Sequence, residues 1–457
     1  MPQIFLIVTC LILAVGFTSF AVVSMLEGHR RATRLGGLAA LGSLIALGAM
    51  LFIPAALQTI LALTLVVCLL ALVIFLIWPA RLDNHRLDIQ PSPQPQLPVD
   101  ERTTIFARTR LQPDSTEYHA YYRDHPEHQT LDDAFRANPG LLDPGARFYD
   151  ALSASSPEGA FFLTEALRDA VDGPIAPRHV EHTPEVMTSF IKSLAVYHGA
   201  KQTGICHLQS YHIYSHIGRG SGTYGTPITL DHRYAIALTV EMNHAMLNSA
   251  PRMPTVMESA RQYAWSAQIA VILAAAIRSL GYPARAHIDG NYRIIAPLVA
   301  KDSGLGEIGR MGLLMTPRLG PRVRLAVVTT NLPLIVDTPT RDPAVIDFCN
   351  RCTKCAAVCP SQAIPTGERE TYPDGTLRWK INPERCYTYW TRIGTDCGRC
   401  IAVCPYAHAD NTFHNLIRFG VAHSANFRRA AIWLDDLFYG KKPRPHDSPN
   451  WLDHAQT

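Results

Sequence analysis

The sequence Cys349-Asn-Arg-Cys352-Thr-Lys-Cys355-Ala-Ala-Val-Cys359-Pro360 places four cysteines close together in the last third of the chain. At this spacing three thiolates can wrap one [4Fe-4S] cubane, while the fourth reaches away to a second cluster. Further cysteines follow at Cys386, Cys397, Cys400 and Cys404, with Pro405 directly after the last of them. The spacing therefore predicts a domain that folds around two iron-sulfur clusters.

The crossover pattern of two-cluster ferredoxins predicts which cysteines share a cluster. One set of ligands is Cys349, Cys352, Cys355 and Cys404, and the other is Cys359, Cys386, Cys397 and Cys400. Zinc is the alternative for grouped thiolates, but structural zinc sites pair two C-x2-C knuckles and give no reason for the trailing Cys-Pro. The long interval between Cys386 and Cys397 departs from the plain ferredoxin pattern in the second set.

The N-terminal part of the chain has a different character. No charged side chain occurs from Pro2 to Leu26 or from Leu35 to Ala80, and about 20 apolar helical residues are enough to cross a ~30 Å hydrocarbon layer. A break near 54–58 divides the second run. The pattern predicts an α-helical membrane anchor over 1–80, with spans at 2–26, 35–55 and 58–79. Because the features of a cleaved signal peptide are missing, we expect this anchor to be retained.

Basic residues predict the orientation of the anchor. Arg30, Arg31 and Arg34 lie between the first two predicted spans, and Arg81 and Arg86 follow the third. Since Lys and Arg are enriched on the cytoplasmic side, a multi-pass protein of the cytoplasmic membrane is expected, with its main body in the cytoplasm. The formal net charge is only +4, so no nucleic-acid partner is expected.

Between the anchor and the cysteines, the pattern indicates an α/β architecture. Apolar and β-branched runs at 234–240, 292–296 and 324–330 predict strands, and small apolar residues at helical spacing predict a helix over 254–280. Helices that alternate with strands are typical of α/β layers. The expected order after the anchor is a Pro-rich tether over 81–100, an α/β domain over 101–340, the two-cluster domain over 341–410 and a C-terminal covering segment over 411–457.

One glycine-rich motif precedes the cysteines. The stretch Gly304-Leu-Gly306-Glu-Ile-Gly309 matches G-x-G-x-x-G, but the first acidic residue after Gly309 is Asp337, so the context does not fit a dinucleotide-binding fingerprint. Two glycines around one side chain indicate either backbone that runs close to a large ligand or a tight turn.

Several further motifs carry a resemblance to a known family. They are Phe106-Ala-Arg108, Tyr118-x2-Tyr121-Tyr122, Tyr214-x4-Arg219-x4-Tyr224-Gly225, Glu241-Met242, Gly304-Leu-Gly306-Glu307-x2-Arg310, Thr316-Pro317-x2-Gly320-Pro321-x2-Arg324 and Cys386-x3-Trp390. Because of these motifs, the chain from about Arg102 to His408 resembles the reductive dehalogenases. These are cobamide-dependent iron-sulfur enzymes related to epoxyqueuosine reductase.

The resemblance implies a nitroreductase-like cobalamin-binding core over 101–340, with the lower base of the corrinoid detached. It implies that reduced cobalamin, supplied by the two clusters, removes halide from a small organohalide. Electrons would come from a donor protein or the quinol pool. Members of the family are usually exported and docked on a separate membrane subunit, whereas this chain carries its own predicted spans.

The resemblance also implies site residues. Tyr263 corresponds to the proton donor, Arg324 to its cationic partner and Asn291 to a residue of the same pocket, while Gly304, Gly306, Glu307 and Arg310 would bind the cofactor. The alternatives are that Tyr263 is a core residue and that Arg324 forms a structural ion pair. His207, His212 and His216 are either metal ligands or, as we prefer, hydrogen-bonded loop histidines.

Two other functions compete with dehalogenation. An epoxyqueuosine reductase-like enzyme is the first, but the anchor, the weak positive charge and Ile294, at a position where that family's acidic proton donor is expected, argue against it. The second is a non-catalytic iron-sulfur membrane protein that only transfers electrons. A corrinoid would distinguish the two enzymes from the electron carrier.

Overall fold

The computed structural model describes residues 1–50, 52–77, 93–95, 97–339 and 342–453. The chain forms two compact units, of which the first combines the N-terminal helices with Ala409–Arg444. The second contains the described residues from 93 to 408 together with those after Arg444. Most of the predicted tether over 81–100, including Arg81 and Arg86, lies outside the described residues.

The helices, in chain order, are α1 (Pro2–Leu26), α2 (Arg30–Met50), α3 (Ala55–Ile77), α4 (Ile105–Arg108), α5 (Thr116–Asp124), α6 (Pro126–Arg136), α7 (Ala151–Ala166), α8 (Pro184–Tyr197), α9 (His244–Asn248), α10 (Met253–Ser279), α11 (Ala296–Asp302), α12 (Pro343–Cys352), α13 (Lys354–Val358), α14 (Pro383–Ile393), α15 (Arg399–Ala402), α16 (Thr412–His423), α17 (Ala425–Phe438) and α18 (Asn450–Asp453). The strands are β1 (Gln202–His207), β2 (Tyr234–Glu241), β3 (Ala284–His287), β4 (Glu307–Ile308), β5 (Leu314–Met315), β6 (Val323–Thr330), β7 (Glu370–Thr371) and β8 (Leu377–Arg378).

Helices α1, α2 and α3 are long and apolar enough to cross a membrane, as the sequence predicts. Helix α2 begins at Arg30, ahead of the predicted start of the second span near residue 35. Arg30, Arg31 and Arg34 therefore lie on the first turns of a helix. Arginine is a good helix former, and its long side chain lets the charged head reach water while the backbone continues the helix.

A glutamine joins the second and third apolar helices. The Gln58 side-chain amide donates to the carbonyls of Met50, at 3.1 Å, and Ile53, at 2.9 Å. The last carbonyls of a helix have no partner within the helix. Gln58, near the start of α3, thus satisfies backbone groups at the end of α2, which explains a polar side chain in an otherwise apolar segment.

The second unit is built on a four-stranded antiparallel sheet with the order β1-β2-β6-β3. The predicted strands at 234–240 and 324–330 are present as β2 and β6, and the predicted helix over 254–280 is α10. The predicted strand at 292–296 is wrong: Ile294 makes only an isolated bridge, and α11 begins at Ala296. The early proline of α11 explains this, since its fixed φ favours the first helical turn.

Side chains that alternate along β2 form two cores. Ile236, Leu238 and Val240 pack with the small residues of α10 on one face, whereas Ala235 and Ala237 pack with α11 on the other. Alternation with period two is the pattern of a sheet covered on both faces. The structure therefore confirms an α/β layer architecture and places α10 directly on the sheet.

The C-terminal segment differs from the prediction. The sequence predicts that 411–457 covers the cluster domain, but α16 and α17 form a compact unit with the N-terminal helices. The physical reason is a set of hydrogen bonds to the ends of those helices. For example, the side chains of Asn411 and His414 contact Glu27 just after α1, at 2.8 Å and 3.1 Å.

Candidate active site

The cysteines of the cluster domain form two groups. Cys404 interacts electrostatically with Cys349, Cys352 and Cys355, although it follows the second motif in sequence. Cys400 interacts with Cys397, Cys386 and Cys359, and also with Cys355 of the other group. Cys404 therefore lies with the first motif and the two groups are neighbours, while the sharing of clusters among these cysteines stays a prediction.

Burial disfavours thiolates in both groups. It raises the pKa of the Cys400 and Cys404 thiols well above the ordinary value, and the neighbouring cysteines raise it further. Iron-sulfur ligation requires thiolates, so bound iron would have to supply the compensating positive charge. Eight thiols in two neighbouring groups of four are a donor set that fits two [4Fe-4S] clusters.

The second cysteine group lies against the start of α10. The Thr395 hydroxyl donates to the carbonyl of Pro251 at 2.6 Å. A Cβ on Gly398 would lie only 2.5 Å from the Thr255 methyl carbon, and Gly398 has a positive φ of 65°. Only glycine fits this close approach. The loop that carries Cys397 and Cys400 is therefore held on the helix that also carries Tyr263.

One face of α10 leads from this loop to Tyr263. Thr255, Ser259 and Tyr263 are spaced by four residues and therefore lie on the same side of the helix. Arg324, which pairs with Val240 in the sheet, hydrogen-bonds Ser259 and donates to the Asp396 carboxylate at 2.9 Å. Its Cζ also lies 4.8 Å from the centre of the Tyr263 ring. Tyr263 and Arg324, which the sequence predicts to act together, are thus in contact.

Opposing effects act on the pKa of the Tyr263 phenol. Arg324 lowers its pKa, but burial and the carboxylates of Asp289 and Asp396 outweigh this effect and raise the pKa above its ordinary value of 10.0. In the described part of the chain, the hydroxyl has no hydrogen-bond partner. A phenol without a partner that faces a guanidinium is well placed to interact with a ligand.

Three tyrosines share Arg219 as a charged neighbour. Tyr214, Tyr263 and Tyr292 all keep partial solvent exposure, yet burial raises the pKa of Tyr214 to about 12 and that of Tyr292 well above its ordinary value. Tyr263 and Tyr292 both interact with Arg219 and also with Arg324. We refer to the region beside these side chains as the candidate cavity.

Asn291 is enclosed by other residues of the second unit. It has no exposed surface. Its amide nitrogen donates to the carbonyl of Arg168 at 2.9 Å and to the Ser221 hydroxyl at 3.0 Å, while its oxygen accepts from Arg285 at 2.9 Å. Its polar atoms are all used inside the protein, and a place for Asn291 in the substrate pocket stays a prediction.

The glycines of the motif that begins at Gly304 have roles in chain packing. Gly304, with a φ of 80°, follows the end of α11, and its N–H donates to the carbonyl of Lys301 at 3.0 Å. A Cβ on Gly306 would collide with the carbonyl of Met315. The Glu307 carboxylate pairs with Lys301 at 2.7 Å. These contacts match the tight-turn alternative, and cofactor binding by the three residues stays a prediction.

Arg310 lies beside the first cysteine group. It is 2% exposed and donates to the carbonyls of Cys349, at 2.9 Å, Pro365, at 2.8 Å, and Gly367, at 2.7 Å. Its guanidinium also interacts with Cys352 and Cys355. Its donors hold the backbone around the first cysteine group, and cofactor binding by Arg310 stays a prediction.

The three histidines near Tyr214 have separate partners. His212 contacts the Asp302 carboxylate at 2.9 Å, His216 lies 3.4 Å from an Asp100 oxygen, and the His207 ring packs against Tyr234 at 5.4 Å. They do not form a metal-binding group among the described residues. They are the hydrogen-bonded or packed histidines that we preferred from the sequence.

Sequence reasoning missed three residues of the site. Asp396 and Ser259 hold Arg324, and Asp289 interacts with Tyr263, Tyr292 and Arg324. Ser259 was detectable, since it precedes Tyr263 by one helical turn. Asp396 directly precedes the predicted cluster ligand Cys397. Its hydrogen-bond partner Arg324 is distant in sequence, so no local pattern indicates their contact.

Comparisons with known proteins agree with this arrangement. A family model for a 4Fe-4S dicluster domain matches residues 348–408. A tetrachloroethene reductive dehalogenase from Sulfurospirillum multivorans is 34% identical over 215 residues, which cover 45% of this chain and 42% of that protein. An epoxyqueuosine reductase from Listeria monocytogenes is 30% identical over 131 residues, which cover 25% of this chain and 30% of the enzyme.

A solved reductive dehalogenase, described in connection with B12-dependent dehalogenation, has a TM-score of 0.62 and 25% identity over 77% of this chain and 48% of its own. The second unit thus has the fold of an iron-sulfur α/β protein with a dicluster domain. More particularly, reductive dehalogenases are homologues of this chain, and epoxyqueuosine reductases are more distant relatives. The chain spans less than half the length of the dehalogenases that it matches.

Proposed function

We propose that the chain is a membrane-anchored reductive dehalogenase-like oxidoreductase. It removes halide from a small organohalide with cobalamin and electrons from two [4Fe-4S] clusters. The observation that carries this proposal is the contact between Arg324 and Tyr263 on the helix face that also holds the second cysteine group. A proton donor and an electron supply are then close to one cavity.

The residues around the cavity fit a large ligand with a polar periphery. The Arg324 Nε and the Thr255 hydroxyl are buried and have no hydrogen-bond partner among the described residues. Native proteins satisfy nearly all such atoms, so a polar ligand is expected here. Tyr214 and Tyr292 offer aromatic surface on the same space. When bound, reduced cobalamin supplies the electrons that break the carbon–halogen bond.

Tyr263 supplies the proton that replaces the halogen. Its Oη carries the proton at neutral pH, because its pKa is raised. When the proton leaves, the phenolate faces the Arg324 guanidinium, which lowers the free energy of the charged form. Asp396 and Ser259 fix the guanidinium over the ring. Arg324 is therefore the partner of the acid, and Asp396 is a positioning residue.

The two cysteine groups define the order of electron transfer. The second group lies on α10 beside Thr255, and its Cys400 neighbours Cys355 of the first group. We infer that electrons reach the first cluster, pass to the second and leave toward the cavity. A donor protein or membrane quinol supplies them.

The proposed location is the cytoplasmic face of the cytoplasmic membrane. Three spans put the end of α1, the start of α2 and the end of α3 on the same side. Exposed Arg30, Arg31 and Arg34 lie at this end, and positive residues favour the cytoplasm. The orientation also follows from Arg81 and Arg86 in the sequence.

Anaerobic purification of the full chain after growth with cobalamin tests the proposal. We expect a corrinoid absorption band beside the broad iron-sulfur absorption, and halide release from organohalides with reduced viologen. Corrinoid without halide release, combined with turnover of epoxyqueuosine transfer RNA, would favour the epoxyqueuosine reductase-like alternative. Iron without corrinoid would leave an electron-transfer protein.

A further inference from the structure

The C-terminal helical hairpin is joined to the ends of the apolar helices. Asn426 donates to the carbonyl of Phe75 at 2.9 Å, and Ser424 donates to that of Leu76, so both satisfy the end of α3. Arg31, at the start of α2, donates to the carbonyl of Leu437 at 2.9 Å. We define the hairpin as α16 and α17. It lies at the level where α1 and α3 end and α2 begins.

The exposed side of the hairpin is apolar. On α16, Phe413, Leu416 and Phe419 recur every three residues and are 40%, 67% and 61% exposed. On α17, Trp433 and Leu434 are 64% and 40% exposed. Helices that cover a water-soluble domain show the opposite pattern, with apolar residues inside and polar residues outside.

The buried side of the hairpin is polar. Arg418, Arg428, His414 and Asp435 are each less than 10% exposed. Arg418 donates to Asn415 at 2.8 Å, and Arg428 donates to the carbonyl of Val421 at 2.8 Å. Because polar groups lie inside the hairpin and apolar groups lie outside, its outer face is suited to contact with an apolar surface and not with water. Contiguous exposed apolar surface marks a protein or membrane contact.

The charges around this face are positive. Arg429 on α17 is exposed, and Lys441, Lys442 and Arg444 follow the hairpin with exposed side chains. Acidic Asp435 is buried, and Asp436 is partly buried. Lys and Arg near a bilayer attract anionic headgroups. Tryptophan is also enriched at the membrane interface, where Trp433 would lie.

We propose that the hairpin is a second membrane contact, which lies in the headgroup region of the leaflet with its apolar face toward the acyl chains. The occupant is a phospholipid bilayer that contains anionic lipid. This inference rests on the proposed membrane anchor, because α1 to α3 fix the level of the hairpin. A bilayer is favoured over a protein partner because the hairpin continues directly from the ends of spanning helices and is ringed by basic residues.

Photocrosslinking of the full chain tests the contact. p-Benzoylphenylalanine is placed singly at Leu416, Phe419 or Trp433, where exposed side chains tolerate the change. Val67, 64% exposed on α3, is the anchor control, and Tyr197, 83% exposed in the second unit, is the aqueous control. The protein is reconstituted in nanodiscs of phosphatidylcholine and phosphatidylglycerol, and lipid adducts are measured by mass spectrometry.

We expect lipid adducts at the three hairpin positions several-fold above those at Tyr197. Replacement of phosphatidylglycerol by phosphatidylcholine should lower adduct yield at the hairpin but not at Val67. Adducts at Val67 with only the Tyr197 level at the hairpin would overturn the hairpin contact and leave the anchor intact. If lipid adducts at Val67 also stayed at the Tyr197 level, both the hairpin contact and the membrane anchor would be overturned. Crosslinks to a second protein in native membranes would show that the face binds a protein instead.

Discussion

The guanidinium of Arg324 lies over the ring of Tyr263, with 4.8 Å between the Arg324 Cζ and the ring centre. The two residues come from different layers, since Tyr263 is on α10 and Arg324 is on β6. Asp396 of the cluster domain fixes Arg324 through a 2.9 Å hydrogen bond. This contact therefore joins the helix, the sheet and the cluster domain at one point, and it makes the acid strength of Tyr263 depend on all three.

Tyr263→Phe removes the proposed proton donor and keeps the ring. General acid catalysis contributes about 10²–10⁴-fold, so we expect halide release to fall by roughly that factor. Corrinoid and iron content should stay at the wild-type level, because the hydroxyl has no partner among the described residues. The measurement is single-turnover halide release with chemically reduced protein.

Tyr197→Phe is the matched control, since this tyrosine is 83% exposed and its change should leave the rate unaltered. Full activity of Tyr263→Phe with bound corrinoid would show that another group donates the proton.

The acid strength of Tyr263 predicts a pH profile. The pKa of the phenol is raised above 10.0, so the donor stays protonated and the rate should not fall through its ionisation below about pH 10. Arg324→Gln removes the charge that lowers this pKa, which makes the phenol a weaker acid. We expect a lower rate for this variant at every pH from 7 to 9, with no new alkaline decline.

Arg324→Lys separates charge from geometry. Lysine keeps the positive charge but lacks the planar fork that contacts Ser259 and Asp396, so we expect partial activity between those of wild type and Arg324→Gln. A decline in rate that appears between pH 7 and 9 in either variant would contradict the assignment of the raised pKa.

The crossover of cysteine ligands predicts which pairs of cysteine substitutions remove the same cluster, so that the second substitution causes no further loss of iron. Cys404→Ala should remove one cluster, or about four iron atoms. Adding Cys349→Ala should cost no more iron, because both residues lie in the first group. Adding Cys400→Ala should remove the second cluster too. Iron analysis and electron paramagnetic resonance measure the outcome, and the reverse pattern of redundancy would refute the grouping.

The spacing of the cysteines predicted the cluster domain, and periodicity over a few residues predicted the strands β2 and β6 and the helix α10. The strand expected at 292–296 is absent because Pro297, directly after it, favours the start of a helix. The burial of Asn291 was not predictable, because Arg168, Ser221 and Arg285 approach it from distant segments. In the same way, nothing near Ser424 in the sequence indicates that it hydrogen-bonds Leu76.

Arg310 provides a test that separates its observed contacts from the role that the resemblance implies. Arg310→Met keeps the length of the side chain and removes donors to the carbonyls of Cys349, Pro365 and Gly367. Each buried acceptor left without a partner costs about 1–3 kcal/mol. We expect loss of iron from the first cluster and lower thermal stability, with corrinoid content unchanged in protein that retains the second cluster.

Arg351→Met is the matched control for this change. Arg351 lies near the same cysteines, but its side chain is 24% exposed and pairs with Asp347 one helical turn away. We expect both clusters to persist in this variant, because among the described residues Arg351 donates to the Asp347 side chain and holds no backbone carbonyl around the cysteines. If Arg310→Met instead lost corrinoid and kept all its iron, the guanidinium would serve the cofactor directly. The hydrogen bonds to the backbone of the first cysteine group would then be incidental.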